Sequence, residues 1–488
     1  MSLSPENQDT VEASPFGKSG LDRRTMLRRA AAASLVAVPG LGLLDACATG
    51  GSGGSTPTSG GGAKSKDNPL GVDPKAPLEV IIFAGGYKDK YATDIHVPMY
   101  KKAFPNADVK ESSTQEISTT LQPRFSGGTP PDVVDNSGTK SMDFGTLVDG
   151  GQLQDLTELW DAPSVDDANK KVRDTIQAGT IEIGLYSGKP FVFNYVSTVY
   201  GLWYNAKLWA SKGWQPASTW TDFVALLDKI KGAGITPIGY AGANASYYMY
   251  RVILTSAAKI GGADLLKSID NLEANAWTND AVHKAAEAWG SLSKYSDKSF
   301  LGLKHTEVQL KQNQDKVAIY PSGNWLESEQ KDNTPATFEY AMMPEPAVTT
   351  SDKLPATSLY LAAGEPFFVS AKGKNPKGGM EYFRRMLSKE GAQGFTKTTG
   401  SLTVVMGASE GLDLPPGLKS SSKAAAAAGS NSFYYLFDSW YNDTLEKELR
   451  SATNELFYQG GNADKFVARM QKKADAIKAD SSIKKFTR

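Results

Sequence analysis

From Pro77 onward, short apolar runs alternate with longer stretches of helical period, the pattern of α/β lobes built on mainly parallel sheets flanked by helices. Leu78-Glu79-Val80-Ile81-Ile82-Phe83 predicts a first strand, and Gly85-Gly86-Tyr87 a loop at its carboxyl end, where open α/β sheets bind ligands. A helical segment to about Phe104 follows, then a strand over Ala107 to Glu111, a second helix to about Phe125 and a third strand at Asp132-Val133-Val134-Asp135. The turn Gly127-Gly128-Thr129-Pro130-Pro131 precedes that third strand. Thr219, a good N-cap residue, with Asp222 at the third helical position, starts a helix over Trp220 to Ala233. Val317 to Tyr320 predicts a further strand, and Pro321-Ser322-Gly323-Asn324-Trp325 the loop that leaves it and opens a helix. No fixed-period repeat is present, and the Ala424 to Ala428 run reads as plain helix or loop.

Ahead of this body the pattern changes. Arg23-Arg24-Thr25-Met26-Leu27-Arg28-Arg29 is followed by Ala30 to Leu44, which carries no charge. That run is too short for a hydrocarbon core, which needs roughly 20 residues, and suits the h-region of an export signal. The paired arginines resemble a twin-arginine signal, and Leu44-Asp45-Ala46-Cys47 resembles a lipobox, whose cysteine becomes the lipid-modified first residue. Residues 1–46 are thus expected to be a signal peptide, and residues 47–76 a lipid-anchored flexible tether on the extracellular face of the cell membrane. Seven glycines between Gly50 and Gly62, spaced by Ser, Thr and Pro, bury too little apolar surface to order themselves.

Composition narrows the function classes. The 488 residues balance 53 Lys+Arg against 53 Asp+Glu, so no basic face draws nucleic acid or anionic lipid. Residues 1–46 contain five basic and five acidic residues, so the exported part stays neutral. One Cys and three His, at 96, 283 and 305, lack any metal-ligand spacing, and no metal or other cofactor is expected. The length exceeds what one core serves, so two lobes are expected.

Aromatic residues cluster in three stretches: Tyr195 to Trp220, Tyr240 to Tyr250 and Phe433 to Tyr441. Helical spacing marks Trp209, Trp220 and Phe437 as core. Several motifs, in order, then resemble one family, the extracellular solute-binding lipoproteins of carbohydrate ABC importers, to which maltose-binding protein belongs. They are Ser126-Gly127-Gly128-Thr129-Pro130-Pro131-Asp132-Val133-Val134, Gly188-Lys189-Pro190-Phe191-Val192, Gly201-Leu202-Trp203-Tyr204-Asn205-Ala206-Lys207-Leu208, and Thr219-Trp220-Thr221-Asp222-Phe223. Ala318-Ile319-Tyr320-Pro321-Ser322-Gly323-Asn324-Trp325, Lys374-Asn375-Pro376-Lys377 and Gln459-Gly460-Gly461 continue the match. The signal, Gly364-Glu365-Pro366-Phe367 and the Tyr434 to Trp440 segment resemble the N-acetylglucosamine/chitobiose-binding subgroup of actinomycetes.

The resemblance implies a two-lobed binding-protein fold. Lobe one would comprise 77–196 plus 345–410, and lobe two 200–340 plus 411–488, with strands crossing near Val196 to Tyr200, near Tyr340 to Pro346 and between Val404 and Ser432. It implies a monomer that holds N-acetylglucosamine or chito-oligosaccharides between the lobes and delivers them to a membrane permease. Trp325 matches the family's stacking position. A pyranose needs such aromatic faces plus planar hydrogen-bonding groups at its rim. Asn324, Asn136, Tyr247, Tyr248, Tyr434, Asp438, Trp440, Gly364, Glu365, Tyr87, Gln115 and Glu116 complete the expected contacts. The family's Trp and Glu are replaced by Asn136 and Thr198, which speaks against maltose, while cello-, xylo- and malto-sugars stay open as alternatives. A surface glycosidase and a sugar sensor are the competing classes. Gly407-Ala408-Ser409-Glu410-Gly411 fits the G-x-S-x-G pattern of hydrolases but lacks the strand-to-helix context that motif needs.

Overall fold

The computed structural model describes residues 62–488 apart from Gly86 and Thr139, so the signal peptide, Cys47 and most of the tether lie outside the described residues. Leu78–Phe83 (β1), Val109–Thr114 (β2) and Val133–Asp135 (β3) form a parallel group with β1 in the middle. Both faces of β1 are covered, Val80 and Ile82 by one apolar cluster and Ile81 by another that includes Ile117–Ser126 (α1). That is why β1 reads as a nearly continuous hydrophobic run. β2 is an edge strand of alternating half-buried and exposed residues.

Phe193–Asn205 (β4) is the longest strand, and it belongs to both halves. Its first half pairs antiparallel with Leu361–Val369, and its second half with Val317–Gly323 and Tyr340–Met343. With Thr236–Ile238 as β5, these three strands are β6 (Val317–Gly323), β7 (Tyr340–Met343) and β8 (Leu361–Val369). The order runs β2-β1-β3-β8-β4-β6-β5, with β7 also on β4. The parallel pairs β1–β2, β1–β3 and β5–β6 flank antiparallel pairs made by the crossing strands, so each half carries a mixed sheet. Residues 402–404 run along the other edge of β4, with Ser197 N–H donating to Leu402 O at 2.9 Å and Val404 N–H to Tyr195 O at 3.0 Å.

Helices pack on the second half around one large core. Trp220–Gly232 (α2) starts at Thr219, whose hydroxyl oxygen accepts from the Asp222 N–H at 3.2 Å. Ser246–Gly261 (α3), Pro416–Ala428 (α4), Lys447–Tyr458 (α5) and Ala463–Ala479 (α6) follow, and the alanine run forms the end of α4. Trp209 and Phe437 are fully buried there, and Trp220 is half-buried with its ring edge-on to Trp289 at 5.1 Å.

The return crossing lies later in the chain than the motifs implied. Residues 345–360 stay with the second half, where Ala347 N–H donates to Ser218 O at 2.9 Å and Leu359 and Tyr360 join its core. The cause is Lys259, a buried cation on α3 that must be satisfied. Its ammonium donates to Ala356 O at 2.8 Å and faces the Glu345 carboxylate at 3.9 Å, tethering the segment before β8 carries the chain across. In the Gly407 to Gly411 turn the Ser409 hydroxyl pairs with that of Ser422.

Candidate functional site

The strands leave one stretch of sheet uncovered. Ala362 to Pro366 of β8 are half-buried although β3 and β4 on either side are buried. Two small residues on one face, Ala362 and Gly364, leave it open, and a Cβ added at Gly364 would meet nothing within 4 Å, while Ala363, opposite Ser197, faces the other side. This is a floor open to a ligand, at the carboxyl ends of β1 and β3.

The next residue, Glu365, has φ +56°, a left-handed backbone rare for a residue with a side chain. Its carboxyl meets Asp135 at the end of β3, which also accepts from Ser137 Oγ at 2.6 Å and Tyr91 Oη at 3.0 Å. Burial first, then the Asp135 charge, push the Glu365 carboxyl up, and burial pushes Asp135 up as well. A half-buried carboxyl set beside the buried Asp135 favours its protonated form. The folded state therefore binds more protons than the unfolded chain above the ordinary carboxylate range, and the pair's contribution to stability is lost as pH rises through the folded titration. Asp270, Glu345 and Glu111, each pushed to about 7 by burial, add to the same slope. We expect Glu365→Gln to become progressively more stable than wild type between about pH 5 and about pH 9. A stability difference from urea melts that stays constant across that range would refute the protonated carboxyl.

Tyr87, shortly after β1, sets its ring edge-on to Phe395 at 5.5 Å, and burial raises its phenol, opposed by a Ser401 hydrogen bond and assisted by the Glu365 charge. A second aromatic group comes from the end of β6 and the start of α3, in the other half. Trp325 is half-buried, edge-on to Tyr200 at 5.2 Å and tilted against Tyr248 at 5.9 Å. Tyr247 packs on Tyr248 at 4.3 Å. The Arg251 guanidinium, one helical turn on, lies 4.3 Å from the Tyr200 ring, 5.0 Å from Tyr360 and 5.6 Å from Tyr247, and donates to Asp438 at 3.0 Å.

The expected residues therefore divide. Gly364, Glu365 and Tyr87 gather on one side, and Trp325, Tyr247 and Tyr248 on the other. Asn136 is not free for a ligand: it is buried, and both ends of its amide bond the Met142 backbone, at 2.8 and 2.9 Å. Asn324 likewise accepts from Val199 N–H at 3.3 Å and donates to Ser197 O at 3.2 Å, pinning its loop to β4. Each loop contains backbone groups that need partners, and an adjacent amide supplies both a donor and an acceptor. Asp438 spends its carboxylate on Arg251. Glu116 pairs with Lys140 at 2.7 Å, and Gln115 donates to Ala84 O at 3.0 Å. Tyr434 is covered by Arg488, 4.3 Å above its ring, and by Gly179. Trp440 lines a separate cavity with Phe486.

Reading the sequence missed Arg251, Tyr200, Tyr360, Tyr91 and Asp135. Arg251 stands three and four positions after Tyr248 and Tyr247, a helical spacing that was available as a signal. A cavity of about 740 Å³ opens on the other face of β4, among Ser197, Leu361, Leu402 and α4. Side chains alternate faces along a strand, so Ser197 points away from Tyr200, and no aromatic residue lines that cavity. Among the described residues no group of His, Cys, Asp and Glu is arranged to hold a metal ion.

A family model described as bacterial extracellular solute-binding protein matches residues 84–393. The diacetylchitobiose-binding protein NgcE of Streptomyces coelicolor is 34% identical over 473 residues, covering 95% of this chain and 98% of that protein. A multiple sugar-binding protein of Streptococcus mutans is 23% identical, covering 65% of this chain and 72% of that protein. The apo structure of RafE from Streptococcus pneumoniae superposes with a TM-score of 0.65 at 20% identity, covering 83% of this chain and 99% of that one. A chitin oligosaccharide binding protein superposes with a TM-score of 0.58 at 18% identity, covering 82% and 98%.

Proposed function

Since the chain belongs to the bacterial extracellular solute-binding protein family, we propose that it captures diacetylchitobiose and longer chito-oligosaccharides between its lobes for delivery to the membrane permease of an ABC importer. The observation that carries this reading is 34% identity along 95% of the chain to a protein that binds diacetylchitobiose. The site supports it chemically. A floor of Ala362 and Gly364 lets a pyranose approach the backbone, Trp325 offers an aromatic face, and Glu365 and Tyr87 offer hydroxyl partners. Ligand contacts from both sides would draw the lobes together about β4, β8 and residues 402–404.

The protein on this reading is not an enzyme. Glycosidases hold two carboxyls roughly 5–9.5 Å apart, flanking the scissile bond, whereas here Asp135 is taken by Ser137 and Tyr91, and burial and the Asp135 charge push the neighbouring Glu365 carboxyl up. We further place it as a monomer, lipid-anchored through Cys47 on the extracellular face of the membrane. Cys47→Ser should move it from the membrane fraction to the medium, and unaltered fractionation would count against the anchor.

The test of function is calorimetric titration with diacetylchitobiose, cellobiose, xylobiose and maltose. One-site binding of diacetylchitobiose, tighter than any of the others and without release of N-acetylglucosamine, is the expected result. Equal or tighter binding of another disaccharide would reassign the ligand, and sustained sugar release would reassign the class.

A further inference from the structure

A second interlobe space lies beyond the floor. A cavity of about 710 Å³ is walled on one side by residues 141–149 and 183–186, and on the other by residues 436–440 and the C-terminal segment around Phe486. Its volume is that of a small-molecule site. Two aromatic pairs stand in its walls. Phe144 and Tyr186 meet at 5.9 Å in one wall, and Trp440 and Phe486 stack at 5.3 Å and 22° in the other. All four rings are half-buried.

Contacts tie both walls of the cavity to residues around the floor. Asn136, at the end of β3, clamps Met142, which lines it. The Leu436 to Trp440 segment, which also lines it, carries Asp438, the ion-pair partner of Arg251 beneath Tyr200. The rim selects among ligand classes. Lys484 is opposed by Asp143 and Asp149, so the rim has no cationic excess to hold an anion. Flat aromatic surfaces with hydroxyls from Ser141, Thr146 and Ser439 at the edge suit a neutral ring with apolar faces and a hydroxyl rim.

We propose that this cavity is an outer subsite for the distal N-acetylhexosamine units of a chito-oligosaccharide whose first units lie on the floor beside Trp325. The proposal rests on the ligand reading given above. It makes the protein a receptor for oligomers longer than the disaccharide, with Tyr186 and Phe486 as specificity determinants.

The experiment is calorimetric titration of the wild-type protein, Tyr186→Ala and Phe486→Ala with diacetylchitobiose and with tetraacetylchitotetraose. Wild type should bind the tetramer about tenfold more tightly than the dimer, the gain of one additional aromatic contact. Each substitution should remove that gain and leave the dimer affinity within about twofold. Thermal melts of both variants check folding, and half-buried Tyr186 gives an arm independent of the C-terminal segment. Equal affinity of wild type for the two sugars, or a gain that survives both substitutions, would overturn the subsite while leaving the receptor reading intact. If neither sugar binds wild type, the receptor reading itself falls and the subsite with it.

Discussion

Trp325→Ala is expected to weaken diacetylchitobiose binding by about 30- to 150-fold while shifting the melting temperature little. The size follows from two contributions that a sugar face gains on an indole, burial of apolar surface and the aromatic contact itself, together about 2–3 kcal/mol. Stability is spared because the ring is only half-buried in the free protein and touches its neighbours edge-on. A second substitution separates the indole from its position. The ring lies over Gly323, where an added Cβ would stand 2.0 Å from Cζ3 of Trp325. Gly323→Ala must therefore displace the ring, and should lose a comparable share of affinity with the indole still present. An unchanged dissociation constant in Trp325→Ala would remove Trp325 from the site.

The second large effect is on stability. Arg251→Met should destabilise the protein by about 3–5 kcal/mol, because it leaves Asp438 buried without its counter-charge. Both side chains are nearly enclosed, with 12% and 13% of their surfaces exposed, so little water is present to take over. Burial already pushes the Asp438 carboxyl up, with the Arg251 charge opposing it. Asp438→Asn should cost a similar amount with sugar affinity retained, and Arg251→Met combined with Asp438→Leu should recover much of the loss. Urea denaturation of the three variants reads this directly. If Asp438→Asn instead kept its stability and lost sugar binding, Asp438 would be a ligand contact after all.

These two residues differ in what reading the sequence could reach. β1 was predicted to the residue because its apolar positions are unbroken and bounded on both sides. β2 was displaced toward the amino end, since an edge strand of Lys110, Glu111, Ser112 and Ser113 carries little hydrophobic signal and takes its extent from pairing with β1. Trp325 was singled out because an aromatic residue directly after a buried strand stands at the end of a sheet strand, where ligands of such folds bind. Arg251 was not. A charge on a helix reads as solvated, and only the fold brings Tyr200 from β4 and Tyr360 from just before β8 around it. For Asn136 and Asn324 the residue type announced hydrogen bonding but not the partner, and in both loops the backbone took the amide.

The continuous run of β4 through both halves has a consequence for how the protein comes apart. A strand that is interior to one sheet over Phe193 to Val199 and to the next over Tyr200 to Asn205 cannot be surrendered by one half alone. Melting either half strips the hydrogen-bond partners from the end of β4 that feeds the other. The two halves are therefore expected to unfold together, and neither to fold when excised from the other.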